Sequence, residues 1–372
     1  MARTWLKLAM GAAVAAGAAG WLLRDLPSQI GVRPLTGDGA RSDRIRRSNQ
    51  FDGSGFHNPM SGEALHNPPY ELLKQMVHDR EVRRPTGVIP LVDLPTEAPP
   101  ADGIRAVWFG HSSVLIEIEG RRILLDPVWS RRVSPSRLVG PARHHETPVS
   151  IEELPPLDAV VISHDHYDHL DRDTIVALAA QSDAQFVVPL GVGAHLDSWG
   201  VTGGRVTELD WDETIDIAGI TITATPARHF SGRSFRRNDT LWASWAIAGT
   251  HRRAFYAGDS GYFDGYRKIG ADLGPFDLVV LPIGAYHPAW PDIHMTPEEA
   301  VKIQQDLGGG LLLPVHWATF TLAMHPWSEP VDRLWGEAKA HGVPIAVPRP
   351  GEAVNVDHPP AVDGWWQALP RP

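Results

Sequence analysis

The segment Ser163-His164-Asp165-His166-Tyr167-Asp168-His169-Leu170 constrains the fold more than any other part of this chain. It follows directly on Asp158-Ala-Val-Val-Ile-Ser163, a continuous apolar run that suits a strand buried on both faces. Imidazoles and carboxylates gathered at the end of such a strand are costly unless a cation compensates them. A turn after the strand can aim His164 and His166 at one ion and Asp168 and His169 at a second. Two ions need more ligands than one segment supplies. Three polar residues that close other apolar runs are candidates: His229 after 220–226, Asp259 after 254–257 and His316 after 311–315. The chain holds no cysteine, so any metal must be held by His and carboxylate groups.

Short β-rich runs fall at 105–109, 114–118, 122–126, 158–163, 185–189, 205–209, 220–225, 243–248, 253–257, 277–282 and 310–315. Helical patterns fall at 173–180, 296–307 and 331–341, the second announced by Thr296-Pro297-Glu298-Glu299. With 43% hydrophobic residues, 372 residues suffice for one large core, which we place at 101–358. Residues 26–100 read as an extended arm with one helix over 70–82, and residues 359–372 as a tail. At the N-terminus, Arg3 and Lys7 precede an uncharged run over 8–23, so residues 1–25 read as a signal peptide or a membrane anchor. A formal charge of −10 argues against nucleic acid as a partner. Fourteen tryptophans suit core packing or an apolar mouth for lipid chains. His144-His145, in a Pro-flanked loop, reads as solvated surface.

The pattern His164-x-His166-x-Asp168-His169, then His229, Asp259 and His316, resembles the metallo-β-lactamase superfamily. That resemblance implies an α/β fold, an αββα sandwich of two packed mixed β-sheets flanked by helices, with metals at one edge. It implies that His164, His166 and His229 hold one metal, that Asp168, His169 and His316 hold the other, and that Asp259 bridges. Further motifs are similar to those of the N-acyl-phosphatidylethanolamine-hydrolysing phospholipase D family. They include Gly110-His111-Ser-Ser-Val-Leu, Leu125-Asp126-Pro127, Ser134-Pro135-Ser136, Gly140-Pro141, Phe255-Tyr-Ala-Gly-Asp259, Pro282-Ile-Gly-Ala-Tyr286 and His316-Trp317-Ala-Thr-Phe320. The likeness runs from about 51 to about 345. By it, Tyr167 and His294 contact a substrate phosphate. The family's mammalian members differ at two places, with an acid where His287 stands and Gly where Ala318 stands. Asp126 and His111 are candidates to orient the ligands from behind.

The resemblance implies two Zn2+ ions and cleavage of a phosphodiester in a phospholipid of N-acylated phosphatidylethanolamine type, at a membrane surface. Attack on phosphorus comes from a hydroxide held between the cations, with Asp168 or Asp259 orienting it. The donor set also suits Fe or Mn; an acid where His166 stands marks the superfamily's flavin-diiron branch, which favours zinc here. Two other readings stay open: a lactonase or other hydrolase on the same fold, and a non-catalytic zinc-binding envelope protein. The N-terminal run over 8–23 makes membrane association in a bacterial envelope the expected location, on either face.

Overall fold

A computed structural model describes residues 29–34, 39–60, 80–202, 204–234 and 236–370. Two mixed sheets form its centre. The first carries β1 (Ile104–Gly110), β2 (Ser113–Ile118), β3 (Arg121–Leu125), β4 (Ala159–Val161), β5 (Gln185–Pro189) and β6 (Val206–Leu209) in that spatial order. The second runs from β7 (Thr214–Ile217) through β8 (Ile220–Thr225), β9 (Ser244–Ala248), β10 (Arg253–Tyr256) and β11 (Leu278–Pro282) to β12 (Leu311–Val315). A last short strand, β13 (Ala353–Asn355), returns to pair antiparallel with β1.

Alternation along each strand explains why the apolar runs are unbroken. In β1, Ile104, Ala106 and Trp108 face the core between the sheets, while Val107 and Phe109 face the layer outside. In β4, Ala159 and Val161 point inward, and Val160 packs outward with Leu178 of α2 (Arg172–Gln181). Both faces are dry, so neither shows a polar stripe. Helices α1 (Ala40–Arg47) and α3 (Gly193–Ser198) also flank the first sheet's end of the chain, and α4 (Gly265–Leu273), α5 (Pro297–Asp306) and α6 (Glu329–His341) belong to the second half.

Strand direction sets the position of the site. β4 is parallel to β3, and β2 is antiparallel to both β1 and β3, so β1, β3 and β4 end at the same rim. By the same reasoning β8, β10, β11 and β12 all end together. His111, Asp126 and His164 follow the first group, and His229, Asp259 and His316 follow the second.

Several expectations change. Residues 26–100 are not simply an extended arm: α1 lies within them and buries Ile45, and Phe56 joins the same core. Of the helix expected over 70–82, residues 70–79 lie outside the described residues, and Glu81–Arg83 forms a single 3-10 turn. Residues 359–370 are no loose tail, because a 3-10 turn, Trp365–Ala368, returns Trp365 and Trp366 to the main core. His145 is buried and His144 half-buried, their rings bonded to Thr319 Oγ1 (3.1 Å) and Thr321 Oγ1 (3.2 Å), so this pair is not surface. The tryptophans resolve toward the core: Trp317 lies parallel to Trp108 at 5.6 Å and to Trp327 at 6.5 Å, with Trp365 at 5.7 Å. The N-terminal run over 8–23 lies outside the described residues; among the described ones no helix is long and apolar enough to cross a membrane.

Candidate metal centre

All seven expected ligands meet at the shared rim. His164 Nε2 lies 2.8 Å from His166 Nδ1, and His229 Nε2 lies 3.3 Å from the same atom. These three form one donor group; Asp168, His169 and His316, joined by His111, form a second. Asp259 stands between them. Its Oδ2 is 3.1 Å from both His169 Nε2 and His316 Nε2, 3.8 Å from His229 Nε2 and 3.9 Å from His164 Nε2. Asp168 Oδ2 is 3.4 Å from His169 Nε2 and from His316 Nε2.

The backs of the imidazoles are tied down. His169 Nδ1 donates to Asp126 Oδ2 at 2.6 Å, His229 Nδ1 to the Ile293 carbonyl at 2.8 Å, and His164 Nδ1 to Ser163 Oγ at 2.9 Å. With Nδ1–H committed, each of the three presents the Nε2 lone pair to the centre, which is how ligating histidines are usually held. Asp126 is the hub: it also accepts from the Ser163 backbone at 2.7 Å, from the Ser163 hydroxyl and from Tyr256. His111 Nε2 donates to Asp168 Oδ2 at 2.9 Å. Both residues therefore do what was expected of them. Gly258 permits the approach of Asp259 to this loop, since a Cβ there would sit 2.5 Å from Ser163 Cβ at a φ of +59°.

Charge balance shows what the centre lacks. Burial opposes ionisation of Asp259, but His169, His316 and His294 outweigh it and hold the carboxyl well below its usual range. Asp168 is likewise held well down against burial, by His169, His111 and His316. Burial, reinforced by neighbouring imidazoles, keeps His164 and His229 neutral. His316 and His169 are the reverse: burial is overcome by Asp259 and Asp168, which lift His316 to about 9 and hold His169 well above its usual range. Two ionised carboxylates thus sit in a dry site whose balancing positive charge, with no ion bound, falls to protons on these two imidazoles. His169 Nε2, His316 Nε2 and Asp259 Oδ1 are buried without a hydrogen-bond partner. Orphaned donors of this kind, all imidazole or carboxylate, fit divalent cations.

The two expected substrate contacts fare differently. His294 reaches the cluster: its Nδ1 is 3.9 Å from Asp259 Oδ2, buried and unpartnered, and its ring lies 5.2 Å from those of His229 and His316. Burial, only partly opposed by Asp259, lowers it to about 4 and leaves it neutral. The hydroxyl of Tyr167 is instead committed to the Arg233 carbonyl at 2.7 Å, its ring under the Arg233 guanidinium. His287 Nδ1 accepts from Ala289 N at 3.0 Å and closes its own turn. Ala318 has a φ of +57°, the conformation that glycine adopts without strain.

Two supports were not legible. Arg233 Nη1 donates to the carbonyls of Asp165 (2.8 Å) and Leu170 (2.7 Å), pinning both ends of the ligand loop. Asp165 accepts from Gly232 N at 2.6 Å and faces His195 Nε2 at 3.3 Å. The only hint in the sequence was a second acid, Asp165, inside the motif.

Fold and donors together define a metallo-hydrolase. The sequence pattern of the β-lactamase superfamily domain matches residues 121–317. An uncharacterized protein of Mycobacterium tuberculosis is 49% identical over 99% of this chain and 100% of its own. The N-acyl-phosphatidylethanolamine-hydrolyzing phospholipase D 1 of Caenorhabditis elegans is 38% identical, over 62% of this chain and 69% of its own. Among solved structures, the metallo hydrolase Igni18 of Ignicoccus hospitalis superposes with a TM-score of 0.53 at 22% identity, over 68% of this chain and 97% of that one; this likeness concerns the fold. The chain belongs to the metallo-β-lactamase superfamily, in the family of the N-acyl-phosphatidylethanolamine-hydrolysing phospholipases D.

Proposed function

We propose that the chain is a phosphodiesterase of phospholipase D type, holding two Zn2+ ions and acting on an N-acylated phosphatidylethanolamine-like lipid at a membrane surface. The observation that carries this reading is the shared carboxylate: Asp259 Oδ2 lies between two donor groups, within 3.9 Å of imidazole nitrogens of His164, His169, His229 and His316 and of His294. His164, His166 and His229 would hold one ion and Asp168, His169 and His316 the other. Paired divalent ions, when bound, supply charge stabilisation for a phosphoryl group and acidify water.

The residues' own parts follow from their placement. Asp168 and Asp259, ionised and aimed at the centre, orient the attacking water. His294, neutral and with a free Nδ1, donates to a phosphoryl oxygen. Tyr167 walls the adjoining cavity. Water then adds across the ester: its oxygen joins phosphorus, the bond to the alcohol breaks, and a proton ends on the alcohol. The products are a phosphatidic-acid-like lipid and an N-acylated amino alcohol. Relatives that carry the same activity in their names, the nematode protein above among them, support the substrate class.

The test pairs metal analysis with mass spectrometry of lipid products on the purified protein. His166→Ala and Asp168→Ala should lose bound metal and diesterase activity together. Turnover in a metal-free variant would end this reading. Hydrolysis of lactones in place of diesters would favour the lactonase alternative.

A further inference from the structure

Residues 131–143 form a closed finger beside the metal centre. Arg132 and Ala142 make an antiparallel bridge, Val133 N donates to the Pro141 carbonyl at 3.2 Å, and Arg143 N to the Arg131 carbonyl at 2.9 Å. Arg143 anchors the base from behind, donating to the carbonyls of Val128 (2.7 Å) and Phe109 (3.1 Å). Val133 packs with Val128, Phe320, Leu322 and Tyr167, so the finger stands on the ring that sits between His166 and Asp168. Gly140, at a φ of +105°, turns the tip; a Cβ there would come within 2.5 Å of Ser134 Cβ.

The tip is apolar and projects into solvent. Leu138 is 51% and Val139 66% exposed. Nothing in the finger's own packing requires apolar residues there, because its base is closed by the bonds above. Around the tip the charge is positive. A cavity of about 170 Å³ opens between the finger and the ligand loop, lined by Arg131, Arg132, Arg137 and Tyr167, with Asp171, Asp173 and the buried Arg233, whose guanidinium is bonded to backbone carbonyls. Asp173 answers Arg137 at 2.6 Å, and Asp171 is saturated by Ser130 and Thr174, but Arg131 is exposed and makes no salt bridge among the described residues. Next to the donor group of His166, exposed Arg237 lies 4.8 Å over Phe230, whose ring touches that of His166 at 4.5 Å. In a chain of net charge −10, such a basic collar runs against the whole.

The N-terminal side of the chain arrives at the same place. The Gln29 carbonyl accepts from Arg233 Nε (3.0 Å) and Nη2 (2.9 Å), and Ile30 and Val32 beside it are exposed.

We propose that the finger 131–143 and its arginine collar are the docking surface for an anionic lipid bilayer. Leu138 and Val139 enter the acyl boundary, and the arginines meet headgroup phosphates around the mouth of the site. An apolar tip within a basic rim is the arrangement by which peripheral proteins lie on such membranes. The benefit to catalysis rests on the lipid reading above; the docking itself does not.

The absence of cysteine permits a clean test on the full chain. Val139→Cys is labelled with an environment-sensitive fluorophore, and Lys268→Cys, on the exposed face of α4, serves as the reference. Each is mixed with vesicles of phosphatidylcholine alone or with phosphatidylglycerol added. The label at 139 should brighten and shift to the blue, more with the anionic lipid, while the label at 268 should not respond. Arg131→Ala should weaken anionic-vesicle binding about five-fold, the effect of about 1 kcal/mol per basic side chain at such a surface. Vesicle binding with no response at 139 overturns the proposal, as does an equal response at 268. A soluble diester measured in parallel separates the two readings. Turnover without insertion at 139 removes the docking surface and leaves the phosphodiesterase. Insertion without turnover of any diester does the opposite.

Discussion

Asp126 shows how much of the site depends on a residue outside the seven expected ligands. Its carboxylate, at a φ of +36°, collects His169, Ser163 and Tyr256 in a fully buried setting. Asp126→Asn puts an amide N–H where those donors converge, so His169 loses its orientation. We expect metal affinity to fall about 10- to 100-fold, the usual cost of losing such a partner. A competition titration against a chromogenic chelator measures this, and an unchanged affinity would show that Asp126 serves stability alone. At this scale the candidate ligands were readable because they lie at or just after the ends of apolar runs, which mark strand ends. The supports were not. Arg233 and His195 have ordinary neighbours in sequence, and their roles arise from carbonyl and carboxylate groups 63 and 30 positions away. The conformation of Ala318, likewise, is fixed by the turn around His316, whose own φ is +62°.

Among the elements, α5 links local chemistry most directly to the site. Thr296 Oγ1 accepts from Glu299 N at 3.3 Å, and Glu299 returns a carboxylate oxygen to Thr296 N at 2.8 Å. This capping box starts the helix two residues after His294, while Met295 N is held by the Ser260 carbonyl at 2.9 Å. Thr296→Ala should destabilise the protein by about 1 kcal/mol, read from urea unfolding, and should raise KM more than it lowers kcat if His294 binds phosphate. A loss confined to stability would detach the cap from substrate binding. The box was visible from Thr296-Pro-Glu-Glu because a cap is written in a few adjacent residues. β7 and β13 were not visible: their burial is partial, and they are strands because β8 and β1 offer them hydrogen-bonding edges. α4 was hidden too, since it contains Gly265 and Gly270 and buries only Tyr266 and Ile269 fully, with Leu273 partly covered.

For the molecule as a whole, the metal centre couples charge to stability. Without a cation, His316 folds with its value raised from 6.5 to about 9, because Asp259 and Asp168 outweigh burial. A raised value contributes stability that is complete below pH 6.5 and disappears as pH climbs toward 9. A bound ion takes the place of that proton and removes this loss. The gap in Tm between metal-loaded and chelator-treated protein should therefore widen from pH 6.5 to 9. A constant gap across that range would mean that His316 is not titrating in the metal-free fold. The tryptophan cluster behind His316 has a similar global reach, since Trp365 and Trp366 come from the last residues of the chain to close the core over Trp317. By itself, the sequence determined the positions of the apolar runs, the donor types and seven candidate metal ligands, because strand ends and ligand chemistry are local properties. Only the tertiary structure decided which donors share Asp259, where Tyr167 spends its hydroxyl and how the finger and its arginines surround the rim. Those depend on parallel strands from two sheets ending at one edge, and no local pattern encodes a distance across that edge.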